Sequence, residues 1–312
     1  MSERARVLAL HGGLLVLLLA LHFVLPPYHH GNLARIMVLA SYAAGYNIVF
    51  GYTGLLSLGH ALFFAAGMYA MGLSVPHIGT GTALLAGVAA GGIGAILLGL
   101  LALRTRGVAF MIVTLMFAQA GYLTILYFGA WTRGDEGFVI ARASRMLWGL
   151  DLSDAAHRYL AALALFALVL GACLWMVRAP FGRSLIAIRE NEPRAAMLGY
   201  DTFRLKLAAM AASGAISGAA GAAYALLFGY AGASFASVEY SILPLLWVLL
   251  GGAGTVLGPF IGTLFMFYLI DLSSGVTSAY MLIAGIALVL LTLFAPRGLM
   301  GTVRARLWRW LP

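Results

Sequence analysis

Nine apolar runs, at about 7–25, 33–51, 54–73, 82–103, 107–129, 158–177, 207–228, 241–270 and 279–295, leave little of the chain free to face water. A bilayer crossing takes about 20 residues, and every backbone polar group inside it must bond within the protein, so runs of this length predict membrane-spanning helices. Charged residues make up only 9% of the 312, against roughly 25% in a soluble domain. A chain of this length holds up to about ten spans and their loops. No separate soluble domain fits, and residues 1–312 read as one transmembrane domain. The expected fold is an all-α integral membrane protein, a polytopic helical bundle.

Two stretches are ambiguous. Residues 33–73 are cut by Gly51-Tyr52-Thr53-Gly54, and residues 241–270 by Gly251-Gly252-Ala253-Gly254 and Gly258-Pro259, so each is one span or two. Charge separates the cases, because cytoplasmic loops carry the excess of Lys and Arg. With the N-terminus inside, ten crossings leave 14 basic residues inside and five outside; eight crossings leave ten and nine. Ten crossings with two glycine-broken spans are therefore expected, both termini being cytoplasmic. Arg4 and Arg6 ahead of residues 7–25 resemble a signal peptide, but 19 apolar residues with no A-x-A site following predict a retained first span. Two loops are long enough to carry function: 130–157 outside and 178–206 inside.

Several classes of chemistry are excluded. Cys173 is the single cysteine, which rules out an intramolecular disulfide, a CxxC pair and a cysteine metal site. Lys206 is the only lysine and sits in Arg204-Leu205-Lys206-Leu207, so no Walker A loop exists and the chain cannot be its own ATPase. The formal charge of +9 would suggest nucleic acid in a soluble protein, but here it anchors loops on one side of a lipid bilayer, and no nucleic-acid partner is expected. There is no H-E-x-x-H, no Gly-x-Ser-x-Gly elbow and no pair of intramembrane carboxylates. Asp271 and Glu239, the acids nearest apolar spans, fall at an outer edge, which argues against proton coupling and for an external energy source. No catalytic residue, metal or cofactor is expected.

Three segments carry the remaining chemistry. Residues 178–201 are amphipathic and too polar for lipid, and read as two short helices. Ser184 is expected to cap the first and Asn191 or Glu192 the second, with Pro193 in the second's first turn and Gly199 past its end. That second helix, about six residues long, could press into a partner's groove with its charges fixing register; otherwise the segment is a solvated anchoring loop. In residues 47–67, Asn47, Tyr52, Thr53, Ser57 and His60 crowd around Gly51, Gly54, Gly59 and Gly67. Polarity at a helix break is tolerated where backbone faces protein or a water-filled cavity, so these five residues either border a solute path or bond to neighbouring helices. F-G-Y-T-G-L-L-S-L-G at 50–59 is faintly like L-G-G-A-G-T-V-L-G at 250–258, and paired broken spans often flank a transport path, although glycines also simply allow close packing. In residues 104–119, Arg104 and Arg106 anchor a span carrying Thr114 and Gln119. His11, His22, His29 and His30 have no partner pattern and read as structural.

The stretches G-Y-T-G-L-L-S-L-G-H-A-L-F-F, R-T-R-G-V-A-F-M-I-V-T-L and G-R-S-L-I-A-I-R-E-N-E-P-R-A-A-M-L-G, with the ending L-F-A-P-R-G-L-M-G, occur in this order between about residues 33 and 301. In them the chain resembles the LivM-type permease subunit of bacterial branched-chain amino acid ABC importers. The resemblance implies one transmembrane permease domain in the bacterial inner membrane and a partner set: a LivH-type second permease, two cytoplasmic ATPase subunits and a periplasmic solute-binding protein. It implies transport of branched-chain or other hydrophobic amino acids, without enzymatic activity in this subunit. It also maps a coupling segment that docks on the ATPase onto Arg189, Glu190, Asn191, Glu192, Ala195, Ala196, Leu198 and Gly199. Gln119 stands where such permeases commonly have an acid, and the outer T-G-G-x-x-G-L pattern appears as T-R-G-D-E-G-F with Arg133. Urea and short-chain amide importers have similar permeases, and a self-sufficient channel or facilitator for a small polar solute is the remaining alternative.

Overall fold

A computed structural model describes residues 3–308 and 310. Among the described residues, ten apolar helices build the bundle. Seven are long enough to cross a bilayer: α1 (Glu3–Val24), α2 (Pro27–Asn47, continued by a π-helical turn Ile48–Tyr52), α3 (His60–Ile78), α4 (Thr80–Ala102), α5 (Val108–Tyr127), α7 (Ala155–Arg178) and α10 (Thr202–Phe228). Three are shorter: α11 (Val238–Gly251), α12 (Gly258–Ser274) and α13 (Tyr280–Phe294). The connecting helices are α6 (Gly129–Thr132), α8 (Pro180–Glu190), α9 (Glu192–Met197) and α14 (Gly298–Arg306). The protein is thus an all-α polytopic membrane protein. The strands among the described residues are four of two residues each, Phe138–Val139 (β1) paired antiparallel with Tyr230–Ala231 (β4) and Met146–Leu147 (β2) with Leu150–Asp151 (β3).

Both ambiguous stretches are helix pairs. The first breaks later than the apolar pattern suggests: residues 53–59 are non-helical although Leu55, Leu56 and Leu58 continue the run. Gly54, at φ +76°, turns the chain, and α3 begins only at His60. The second pair is a hairpin in which Gly251, Gly258 and Gly262 bring α11 and α12 into backbone contact; a Cβ at Gly262 would overlap the Trp247 carbonyl.

Small residues close the centre. Across α3, α4 and α10, a Cβ on Gly67 would overlap the Gly218 carbonyl and one on Gly91 the Gly214 carbonyl, while Gly87 meets Ala222. Close backbone approach of this kind replaces the hydrophobic drive that lipid cannot supply. Burial runs opposite to apolar character. The span Pro27–Tyr52, carrying two histidines, Arg35 and Asn47, is the most enclosed of the seven, whereas aliphatic α1 leaves Val16, Leu17 and Phe23 exposed.

One end of the bundle gathers the basic segments. Arg106 in the α4–α5 turn lies beside Asn191 and Glu192, Leu8 lies beside Arg178, and Arg304 of α14 reaches Gly254. This end is called the basic end below; Arg309, one of the 14 inside residues, lies outside the described residues. At the opposite end Tyr28 donates to Asp271 at 2.6 Å, and Arg145 donates to the Leu226 and Leu227 carbonyls at 2.7 and 2.5 Å, satisfying the C-terminus of α10.

Candidate functional site

The two glycine breaks, about 200 residues apart in sequence, meet at the basic end. The π turn at Ile48–Tyr52 frees carbonyls that a regular helix would occupy. Leu55 N donates to Val49 O at 2.9 Å, Thr53 Oγ1 to Ile48 O at 2.8 Å, and Thr114 Oγ1 of α5 accepts from Leu58 N at 3.0 Å. Asn47 bridges to the other break: its Nδ2 donates to Thr255 O at 2.9 Å, and its Oδ1 accepts from Gly254 N at 3.0 Å. Gly51 allows this approach, because a Cβ there would overlap Asn47 and stand 2.5 Å from Gly254 N. Thr255 Oγ1 in turn accepts from Gly258 N, the first N–H of α12, at 3.1 Å.

His60, fully buried, lies between Ser57 Oγ at 3.2 Å and Ser213 Oγ of α10 at 2.8 Å. Because Ser213 donates its only proton to the Gly45 carbonyl at 2.6 Å, His60 Nε2 must be the donor towards Ser213 and Nδ1 the acceptor from Ser57. A neutral imidazole therefore pins the break to α10 and α2. Tyr52 is buried, its hydroxyl has no hydrogen-bond partner among the described residues, and its ring borders a cleft of about 300 Å³ with Arg189, Glu190 and Arg304. Asn47, Tyr52, Thr53, Ser57 and His60 are thus brought together; four of them bond to protein.

Helices α8 and α9 cover these breaks. Gly182, Leu185 and Ile188 of α8 are buried. Ser184 does not cap α8: the helix starts a turn earlier at Pro180, whose fixed φ and missing N–H suit a first turn, and Ser184 Oγ donates to Pro180 O at 3.0 Å. Asn191 is the cap of α9, accepting from Arg194 N at 3.0 Å, Pro193 lies in the first turn, and Gly199 follows the end at φ +89°. Glu192 pairs with Lys206 Nζ of α10 at 2.5 Å, with the lysine side chain only 9% exposed. Met197 and Leu198, 87% and 72% exposed, stand out from α9 with Ala196, while Ala195 packs inward. Arg189 is exposed like Glu190, yet its Nη1 donates to the Gly51 carbonyl.

Sequence reasoning missed Lys206, Ser213, Thr255 and Arg304 as partners of this region. The glycine-break likeness could have found Thr255. Ser213 sits in the small-residue run A-A-S-G-A-I-S-G, which marks close packing without naming a partner.

At the opposite end, Thr132 Oγ1 donates to Ile125 O at 2.6 Å and Arg133 takes a left-handed φ of +61°. Arg142 holds Asp151 through Nε and Nη2 at 3.1 and 3.0 Å. Hydrogen bonds from Ser153, with help from Arg142, hold the Asp151 carboxyl down to about 2. Asp154 caps α7, and the backbone N–H groups of His157 and Ala156 keep its carboxyl below the ordinary range.

No solved structure matches the chain. The high-affinity branched-chain amino acid transport system permease protein LivM of Escherichia coli (strain K12) is 30% identical over 297 residues, covering 87% of this chain and 69% of that protein. LivM of Salmonella typhimurium is 31% identical over the same shares. The autoinducer 2 import system permease protein LsrC of Photorhabdus laumondii subsp. laumondii is 29% identical over 163 residues, 50% of this chain and 45% of that protein. The family described as Branched-chain amino acid transport system / permease component matches residues 31–293, which span both breaks and the α8–α9 pair. The chain belongs to this family of membrane permease components.

Proposed function

We propose that the chain is the LivM-type transmembrane subunit of an ATP-driven importer in the bacterial inner membrane. It crosses ten times with both termini cytoplasmic, and passes branched-chain or other hydrophobic amino acids delivered by a periplasmic binding protein. A LivH-type second permease completes the path and two cytoplasmic ATPase subunits supply the energy. The observation that carries this reading is α9: a six-residue helix, capped by Asn191 and tied to α10 by Lys206–Glu192, displays Met197 and Leu198 to solvent at the basic end. An apolar knob on a rigid, charged mount fits a groove in a soluble partner. Arg189 to Gly199 form the coupling segment, and Thr53, Ser57 and His60, with Asn47 and Tyr52, border the solute route at the break. The partial likeness to a permease named for autoinducer 2 import keeps the solute class open to other small polar molecules.

The test is to express the tagged chain with the neighbouring ATPase, permease and binding-protein genes, purify it, and measure leucine uptake in proteoliposomes. Co-purification of an ATPase and uptake that needs ATP and the binding protein are expected. Uptake by the chain alone, down a gradient and without nucleotide, would replace the importer with a facilitator.

A further inference from the structure

Arg189 of α8 reaches both glycine breaks. Its Nη1 donates to the Gly51 carbonyl, one of those freed by the π turn. Its stem lies on Gly54, where a Cβ would stand 3.0 Å from Arg189 Cγ, and its guanidinium lies on Gly254, where a Cβ would stand 2.7 Å from Nη1. Both glycines have positive φ, +76° and +73°, so the chain is shaped to admit this arginine. Asn47 joins the same two breaks with two hydrogen bonds, and Arg304 of α14 donates to the Gly254 carbonyl at 3.2 Å. No carboxylate pairs with Arg189 among the described residues; its charge is spent on the Gly51 carbonyl, which makes that bond stronger than a neutral one. Arg189 lines three clefts, of about 300, 500 and 670 Å³.

We propose that Arg189 is a positioning residue that acts inward: it carries displacement of α8–α9 to both glycine breaks as one unit, and it takes no part in holding the ATPase. The proposal rests on the coupling role of α8–α9 given above. Because Asn47 ties the breaks together, a pull on Gly51 moves the ends of α2 and α11 at once. The clefts that Arg189 lines then change shape, which opens or closes the basic end to solute.

The experiment uses the complete importer in proteoliposomes, in a Cys173→Ser background with Leu55→Cys as a maleimide reporter in the first break. For Arg189→Gln we expect ATPase recovery within twofold of the parent, uptake lowered tenfold or more, and loss of the nucleotide-dependent change in Leu55→Cys labelling. Arg189→Lys keeps a cation that reaches one carbonyl and should restore at least a third of both uptake and the labelling change. Uptake within twofold of the parent for Arg189→Gln, or ATPase recovery falling in step with uptake, overturns the proposal. If Arg189→Gln does not reach the membrane, Arg189→Lys decides: lost ATPase recovery overturns it, and retained recovery with a reduced labelling change supports it. Met197→Asp with Leu198→Asp tests the docking reading separately. If that variant retains the ATPase, docking by α9 is wrong, while the labelling result for Arg189 still stands or falls by itself.

Discussion

Replacing Asn47 with Ala removes a side chain that ties one end of the first break to the second by two hydrogen bonds, and its cost can be worked from those bonds. Two partners are stranded, the Gly254 N–H and the Thr255 carbonyl, at a site where Asn47 is 2% exposed. A buried polar group left unpaired costs about 1–3 kcal/mol, so the pair costs about 2–6 kcal/mol. Hydrogen bonds between membrane helices average only about 0.6 kcal/mol where the freed groups find other partners, which sets a floor of about 1 kcal/mol. Here Gly254 is held at φ +73° beside Gly51, so the loss should exceed that floor and fall within the range of about 2–6 kcal/mol. We expect about 3 kcal/mol, or a fall in melting temperature of about 6 °C at roughly 2 °C per kcal/mol. Cys173, the sole cysteine and 5% exposed in α7, makes the assay direct: a thiol-reactive dye reports unfolding in detergent as this side chain becomes accessible. Ser41→Ala is the control, because Ser41 Oγ donates only to Met37 O of its own helix, at 2.9 Å. That loss should stay below about 0.5 kcal/mol, since the carbonyl keeps its backbone donor. Equal shifts for the two variants would refute the claim that Asn47 fastens one break to the other.

Four further outcomes follow from the geometry. Gly91→Ala drives a Cβ into the Gly214 carbonyl and should more than halve monodisperse recovery on size exclusion, whereas Gly285→Ala, with open space around it, should not. The Asp151 carboxyl titrates at about 2 in the folded protein against an ordinary 3.8, so its contribution is complete above pH ~4 and disappears as pH falls towards 2. Protection from hydrogen exchange over residues 142–153, relative to the intrinsic rate at each pH, should fall in that window and stay nearly constant in Asp151→Asn. Lys206→Met leaves Glu192 without its partner and should loosen α9, lowering ATPase pull-down at least fivefold, and the exchange Lys206→Glu with Glu192→Lys should restore part of it. Finally, Ser144→Cys should label only from outside and Thr302→Cys only from inside; the reverse at either site would remove the ten-crossing topology.

How much of this was visible in the sequence differs by element. All nine apolar runs contain helices, because length and hydropathy alone decide that a segment must be helical in lipid. The start of α3 was misplaced because Leu55, Leu56 and Leu58 look like a span, while the local conformation is set by Gly54 and by Thr114 on another helix. The ends of α9 were legible because Asn191, Pro193 and Gly199 act within a few residues of themselves. Ser184 misled because a capping side chain is outranked by a proline four residues earlier. The bond from Arg189 to Gly51 could not be read: the partner carbonyl belongs to a residue with no side chain, 138 positions away.

The inverse relation between apolar character and enclosure bears on how the chain is made. The helix starting at Pro27 is sheathed by α7, α10, α11 and α12, all of which are synthesised after it. Its Arg35, Asn47 and paired histidines suit protein neighbours and not acyl chains. Until residue 270 or so has emerged, this segment must wait in the insertion machinery or at the lipid boundary, partly shielded by the preceding α1. Truncation after α9 should therefore leave a product that quality-control proteases degrade, although every helix it contains is intact.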